Sequence, residues 1–458
     1  MRAPGFHTVT LGCKLNQFDT AAIAGELTRR GYVEADDPAA ADVVVVNTCT
    51  VTGKADADAR GAVRQIRRRN RDCVLLVTGC YAEWNAQALR ALSGVDRVFG
   101  NTDKLRVAEI LDELGLAPRR GEGAAGSTDL GDRGCEAGSA VLPEAVHFGE
   151  RSRAFLKIQE GCDLRCSYCV IPRVRGASRS VAPDRVHAAL DSLLAAGFRE
   201  IVLTGVNTGD YGRDLNPPTS LEALLRTLLA RCGPNRVRLN SLEPRTVTDG
   251  IVDLMAGEPR LARHLQIPLQ SGSDAILRAM RRNYRASTYR ARLARLSELV
   301  PRVGLGADVI VGFPGETDAH FRDTVSLIED SPLAYLHVFA WSPRPQTAAA
   351  QRPGRVHGAV VRERSTRLRE LGERLGLAFR RRLLGTTLDA VVLDPGSQST
   401  PGRALTGNFV EVEISGGSAT RGSLVDVEIT GVHPDRTTAR VLGVPPWATG
   451  YARPTAPL

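Results

Sequence analysis

The chain has 458 residues, 43% apolar and 24% charged, the balance of an ordinary soluble protein of two or three domains. No apolar run approaches the ~20 residues of a membrane span. The opening "MRAPGFHTVTLGC" passes into a strand pattern without the apolar stretch of a secretory signal, so the expectation is a cytoplasmic protein with no membrane association. The formal net charge of +9 comes almost wholly from arginine and suits a polyanionic partner, although arginine used as a general solvated cation gives the same total.

Residues 1–115 alternate strands and helices. "HTVTLGC" (7–13), "DVVVVNTC" (42–49) and "CVLLVTGC" (73–80) read as strands, the last two so uniformly apolar that both faces must be covered. This predicts a small doubly wound α/β domain. Residues 116–150 are aperiodic and rich in Gly, Ala and Ser, and read as a flexible linker. From 151 to 380, "FLKIQEGC" (155–162), "EIVLTG" (200–205), "RVRLNSLE" (236–243), "HLQIPLQS" (264–271), "GLGADVIVGFP" (304–314) and "YLHVFAWS" (335–342) alternate with helical segments. Six such repeats predict a partial (β/α)6 barrel, ending in an arginine-rich helix. Residues 381–446 hold short β patterns between Gly-rich turns and predict a small OB-like β-barrel. Residues 447–458 read as a loosely docked tail.

Nine cysteines, an odd number in a large chain, argue against a disulfide framework and for metal ligation or reactive thiols. Cys13, Cys49 and Cys80 each close a predicted strand. The carboxyl ends of parallel strands share one edge, so three thiols distant in sequence are expected to converge. Cys73 opens the strand that Cys80 closes, which puts it roughly 23 Å away at the opposite edge. Cys135, in the linker, reads as an idle thiol. A second trio, Cys162, Cys166 and Cys169, stands four and three residues apart in "EGCDLRCSYCV", directly after a barrel strand. Structural zinc takes four ligands, and no fourth Cys or His stands near. Three thiolates and a vacancy suit an iron–sulfur cluster whose free iron binds something else.

This C-x3-C-x2-C, with Tyr168 before its last cysteine, resembles the signature of radical S-adenosylmethionine enzymes. The resemblance implies a 4Fe-4S cluster whose open iron is chelated by S-adenosylmethionine, cleaved to a 5′-deoxyadenosyl radical. Across nearly the whole chain "TLGCKLNQFDT", "NTCTVTGKADADAR", "VTGCYAE", "KIQEGCDLRCSYCVIPRVRG", "LTGVNTGDYG", "HLQIPLQSGSD", "DVIVGFPGET" and "FAWSPRPQTAA" are similar, in order, to the methylthiotransferases. That family implies a second 4Fe-4S cluster on Cys13, Cys49 and Cys80, taking part in sulfur insertion, and a terminal TRAM domain. "TLGCKLNQFDT" and "NTCTVTGKAD" look most like the branch acting on N6-threonylcarbamoyladenosine beside the anticodon of tRNA. The alternatives within the family are isopentenyladenosine and a ribosomal-protein aspartate.

By the same resemblance, S-adenosylmethionine would be contacted by Tyr168, Gly205, Asn207, Ser241, Glu243, Gln270 and Ser271, which end barrel strands or follow them and so suit a ligand at the mouth. No side chain beyond the cysteines stands out as an acid or base. "GFPGET" (312–317) lacks the lysine of a phosphate loop. For RNA, residues 60–71 hold six arginines without an acid, and residues 344–382 hold eleven against three glutamates. Phe409 is read first as core and second as a base-stacking residue. The expected partners are a tRNA anticodon stem-loop and a flavodoxin- or ferredoxin-like electron donor. An alternative of another class is a non-catalytic RNA-binding protein with structural zinc.

Overall fold

The computed structural model describes residues 2–116, 128–129, 140, 142–143, 145–149, 151–397, 399–416 and 419–449. The first unit is a parallel sheet of β1 (Gly5–Thr10), β2 (Val33–Glu34), β3 (Val43–Thr48), β4 (Val74–Gly79) and β5 (Arg97–Val98) in the order β2-β1-β3-β4-β5. Every residue of β3 is buried, which its run of β-branched valines permits because helices cover both faces. Two of those helices are α1 (Lys14–Arg29) and α2 (Gly53–Arg69). The Thr52 hydroxyl caps α2 by accepting from the Ala55 amide, and Arg67, Arg68 and Arg69 in its last turn complement the helix dipole. The short α3 (Cys80–Trp84) follows β4.

The second unit is the expected open barrel. Its strands are β6 (Ala154–Lys157), β7 (Glu200–Thr204), β8 (Arg236–Arg238), β9 (His264–Gln266), β10 (Gly304–Val311) and β11 (Tyr335–Ala340). They form two parallel three-stranded sheets, β8-β7-β6 and β9-β10-β11, stitched by the parallel bridges Val237↔Leu261 and Ser241↔Gln266. Two strands are shorter than the sequence predicted. In "HLQIPLQS" the ladder stops at Gln266: Pro268 has no amide to donate, and pairing resumes only at Gln270, opposite Val309, where φ is +61°. In "RVRLNSLE" it stops at Arg238.

Helices α4 (Asp318–Glu329) and α5 (Gly358–Arg381) complete this unit. The linker expected over 116–150 is corrected in its second half. Ala140, Leu142, Val146 and Phe148 are buried in the barrel's main core, and the His147 amide donates to the Ala21 carbonyl of α1 at 2.8 Å. Four apolar side chains scattered among small residues suffice to dock the segment. Cys135 lies outside the described residues.

The third unit is a closed barrel of β12 (Thr387–Asp394), β13 (Gly402–Thr406), β14 (Glu411–Ser415), β15 (Leu424–Val432) and β16 (Thr437–Gly443), in the order β12-β13-β14-β16-β15. The β patterns read there from the sequence, "TTLDAVVLD", "GNFVEVEI", "SLVDVEITGV" and "TTARVLG", did not include β13. This barrel docks on the partial barrel through charge. Arg236 donates to the Leu405 carbonyl at 3.1 Å and to the Asp389 carboxylate, and Arg238 donates to the carbonyls of Thr406 and Gly407 at 3.0 Å each. Both guanidinium groups also clasp the fully buried Glu200 of β7, at 2.5 and 3.0 Å. Burial alone would raise the Glu200 carboxyl, but Arg236, Arg238 and Arg153 outweigh it and hold the group well below the usual carboxylate range. Among the described residues no helix is long and apolar enough to cross a membrane.

Candidate cluster sites at the barrel mouth

Because β1, β3 and β4 are parallel, their carboxyl ends bring Cys13, Cys49 and Cys80 to one edge. Cys13 caps α1, Cys49 follows β3 and Cys80 opens α3. Two of the three follow a glycine that the turn requires. Gly12 has φ +104°, and a Cβ there would stand 2.6 Å from Cys49 Cβ; Gly79 has φ +101°, and a Cβ there would stand 2.4 Å from the Thr48 carbonyl oxygen. Asn16 fastens the same corner, donating to the carbonyls of Leu11 at 2.8 Å and Thr48 at 3.0 Å. Burial pushes the Cys49 thiol up to about 11, and the neighbouring Cys13 and Cys80 add to the rise. Cys73 is tied to Asn70, three residues back, at the amino end of β4 and away from this edge.

The second trio lies in a clamped loop. Gly161 has φ +73°, and a Cβ there would fall 1.8 Å from the Ala177 carbonyl oxygen, so only glycine lets the loop close. The Cys162 amide donates to Gly176 at 3.1 Å, the Cys169 amide to Cys166 at 3.1 Å, and the Ile171 amide points at Cys169 Sγ at 3.4 Å. Ser167 holds the loop's middle, its amide on the Met280 carbonyl and its hydroxyl on the Ala279 carbonyl, at 2.9 Å each. Burial pushes the thiols of Cys162 and Cys169 up to about 11 and about 12. A bound metal inverts that cost, since a coordinating thiol is deprotonated outright. Among the described residues no three Cys, His, Asp or Glu side chains close on one metal ion. Each trio shares a neighbourhood: the thiols of Cys13 and Cys80 act on that of Cys49, and those of Cys162 and Cys166 on that of Cys169.

Two arginines that the sequence reading missed join these elements. Arg175, 4% exposed, donates to Cys80 Sγ at 3.3 Å, Glu160 at 2.8 Å, Asn16 at 2.6 Å and Asp19 at 3.0 Å. It leaves the loop of the second trio and reaches the first. Arg282 donates to Cys166 Sγ at 3.3 Å and to the Glu243 carboxylate. Around it, Arg165, Arg278, Arg281 and Arg285 are exposed and form no ion pair among the described residues.

Of the other residues singled out, six flank this mouth. Tyr168 is half-buried against Ile276, Met280, Phe313 and Ala349, beside the second trio. Gly205 sits where a Cβ would meet the Gln159 carbonyl oxygen at 2.9 Å. The Asn207 amide donates to Gln159 Oε1 at 2.9 Å and its side chain to Asp210 at 2.5 Å. Ser241 and Gln270 continue β8 and β9 as isolated bridges, and Glu243 holds Arg282. Ser271 is fully buried, its hydroxyl 3.3 Å from Thr324 Oγ1 of α4, a contact that fixes helix to strand.

The basic stretches are partly structural. Arg60, Arg67 and Arg69 on α2 are bound to Tyr81, Asp96 and Asp37, and in the second stretch Arg344, Arg364 and Arg374 pair with Asp56, Glu316 and Glu329. Phe409 takes the core role. It stacks on His264 at 4.2 Å between ring centroids, inside the partial barrel.

Residues 5–100 match the family model described as Uncharacterized protein family UPF0004, and residues 156–328 match that of the Radical SAM superfamily. The chain is 37% identical to the threonylcarbamoyladenosine tRNA methylthiotransferase MtaB of Bacillus subtilis, over 83% of this chain and 82% of that one. This chain belongs to the radical S-adenosylmethionine methylthiotransferase family. It is also 35% identical to the protein of that name from Aquifex aeolicus, over 89% of this chain and 96% of that one. It is 34% identical to a tRNA-2-methylthio-N(6)-dimethylallyladenosine synthase of Parafrankia sp., over 91% and 84%. Among solved structures, the radical S-adenosylmethionine methyltransferase TsrM of Kitasatospora setae superposes with a TM-score of 0.53 at 16% identity, over 76% of this chain and 77% of that one, a likeness of fold. The protein is therefore a radical S-adenosylmethionine enzyme that transfers a sulfur-containing group, with two 4Fe-4S clusters and S-adenosylmethionine as cofactors.

Proposed function

We propose that this methylthiotransferase acts on tRNA and converts N6-threonylcarbamoyladenosine, next to the anticodon, to its 2-methylthio derivative. The observation that carries the proposal is the link between two cysteine trios made by Arg175, which follows the loop of one and donates to Cys80 Sγ of the other. Cys162, Cys166 and Cys169 would hold the cluster that binds S-adenosylmethionine, and Cys13, Cys49 and Cys80 the auxiliary cluster. With its cofactors bound, such a site supplies a hydrogen-abstracting radical and a methylated sulfur for C2 of the base. The chain's own residues orient and shield that chemistry: Tyr168, Gly205, Asn207, Ser241, Glu243 and Gln270 line the place for S-adenosylmethionine, and Arg175 and Arg282 donate to cluster thiolates. An anticodon loop suits such a mouth because its unpaired bases can be splayed out. The cation-rich rim of Arg165, Arg278, Arg281 and Arg285 supports a phosphate-bearing substrate. A flavodoxin- or ferredoxin-like donor in the cytoplasm would provide the electron.

The Parafrankia relative, a tRNA-2-methylthio-N(6)-dimethylallyladenosine synthase, favours a second reading, dimethylallyladenosine. Mass analysis of tRNA nucleosides from a deletion strain separates the two. Loss of 2-methylthio-N6-threonylcarbamoyladenosine is expected; an unchanged level of it overturns the proposal.

A further inference from the structure

The chain has four lysines. Lys104 is paired with Asp19 at 2.6 Å and Lys157 with Glu160 at 3.2 Å, while Lys54 stands exposed on α2. Lys14 is different. It is half-buried, forms no ion pair among the described residues, and spends one donor on the amide oxygen of Asn240 at 2.7 Å. Its ammonium stands 5.5 Å from the centroid of the Phe409 ring inside the partial barrel. The acids of that interior have other partners, Glu200 in Arg236 and Arg238 and Asp308 in Gln266 at 2.6 Å and His337 at 3.1 Å; burial disfavours the Lys14 ammonium, the charges of both acids favour it, and neither forms an ion pair with it. An ammonium has three donors, and holding one partly out of water against a single neutral amide is costly unless an anion completes it.

Its place is equally specific. Lys14 follows Cys13 directly, so its Cα lies about 3.8 Å from that of a proposed cluster ligand. Asn240 lies two residues beyond the carboxyl end of β8, in the segment that continues to Ser241 and Glu243. The side chain therefore spans from beside the first trio into the barrel interior, where its ammonium meets Asn240 and the Phe409 ring. On adenine, C2 and N6 flank N1 on one edge. A base that offers C2 to the first trio presents its N6 substituent along the same edge, within reach of a side chain anchored at the neighbouring residue.

We propose that Lys14, with Asn240, receives the carboxylate that ends the N6 substituent of the substrate adenosine, and is a specificity-determining residue. This rests on the proposed function, since a dimethylallyl group offers no anion. The test uses the full chain with reconstituted clusters and anticodon stem-loop RNAs carrying N6-threonylcarbamoyladenosine, its methyl ester, or dimethylallyladenosine. Binding is read by fluorescence anisotropy, and iron content and visible absorption check that each variant is intact. The wild type should prefer the acid to the ester by roughly tenfold, the scale of one charge-assisted hydrogen bond. Lys14→Gln should lose that preference and Lys14→Arg should keep it. Equal wild-type affinity for acid and ester overturns the inference, and that comparison needs no variant. So does a Lys14→Gln protein that weakens every RNA alike, the behaviour of a phosphate contact. If the wild type fails to methylthiolate the threonylcarbamoyl RNA, the proposed function fails; if it succeeds and Lys14→Gln keeps the preference, only this inference does.

Discussion

A glycine before a cysteine occurs in "LGC", "TGC" and "EGC", and in each the glycine holds a positive φ. Gly79→Ala should therefore cost more than a surface substitution, at least about 1–3 kcal/mol of backbone strain, with the added Cβ driven into Thr48. Thermal unfolding measures this, and an unchanged midpoint would contradict it. Cys80→Ala should lose roughly half of the bound iron of the reconstituted protein and Cys73→Ala none; equal losses would remove the first trio from consideration. Cys13, Cys49 and Cys80 were legible in the sequence because each ends an apolar strand pattern and strand ends in a parallel sheet converge, and the second trio was legible from its spacing. Arg175 was not. Its partners Cys80 and Asp19 stand 95 and 156 residues away, and an arginine in a turn carries no periodicity that points to them.

At the scale of elements, the strand patterns located most strands along the chain, while packing decided where strands stop. Pro268 ends one ladder early, and "GRALT" became β13 although a glycine and an arginine hid its alternation. The interior of the partial barrel escaped the reading for a related reason. Glu200, Arg236 and Arg238 look like surface residues of short strands, yet they face inward and satisfy one another. Replacing Glu200 with Gln leaves two buried guanidinium groups short of a counter-charge and should cost about 3–5 kcal/mol near neutral pH. The sign of its pH dependence follows from the depressed carboxyl. The ion pair stabilises the fold above the unfolded-state value near ~4.3, and the contribution disappears as pH falls toward the folded-state value. The gap in denaturant midpoint between wild type and Glu200→Gln should therefore narrow below about pH 4. A gap constant from neutral to acid pH would assign the loss to packing.

For the whole molecule, the first two units meet at the cysteine trios through Arg175, the third docks at the amino ends of the barrel strands, and family membership extends across most of the chain. The arginine runs most conspicuous in the sequence are partly structural, whereas Arg278 and Arg281 lie beside the second trio in a short segment with no long basic run. Converting both to Gln should weaken tRNA binding similarly for every anticodon sequence, because phosphate contacts position without reading bases. Loss confined to one tRNA species would assign them to base recognition.

The joint between the two barrels has a practical consequence. Arg236, Glu200 and Arg238 are fully buried, so dissolved ions screen them little, whereas rim arginines and RNA phosphates meet in water and are screened strongly. A concentrated salt wash should strip co-purifying nucleic acid from this protein and leave its domains locked together.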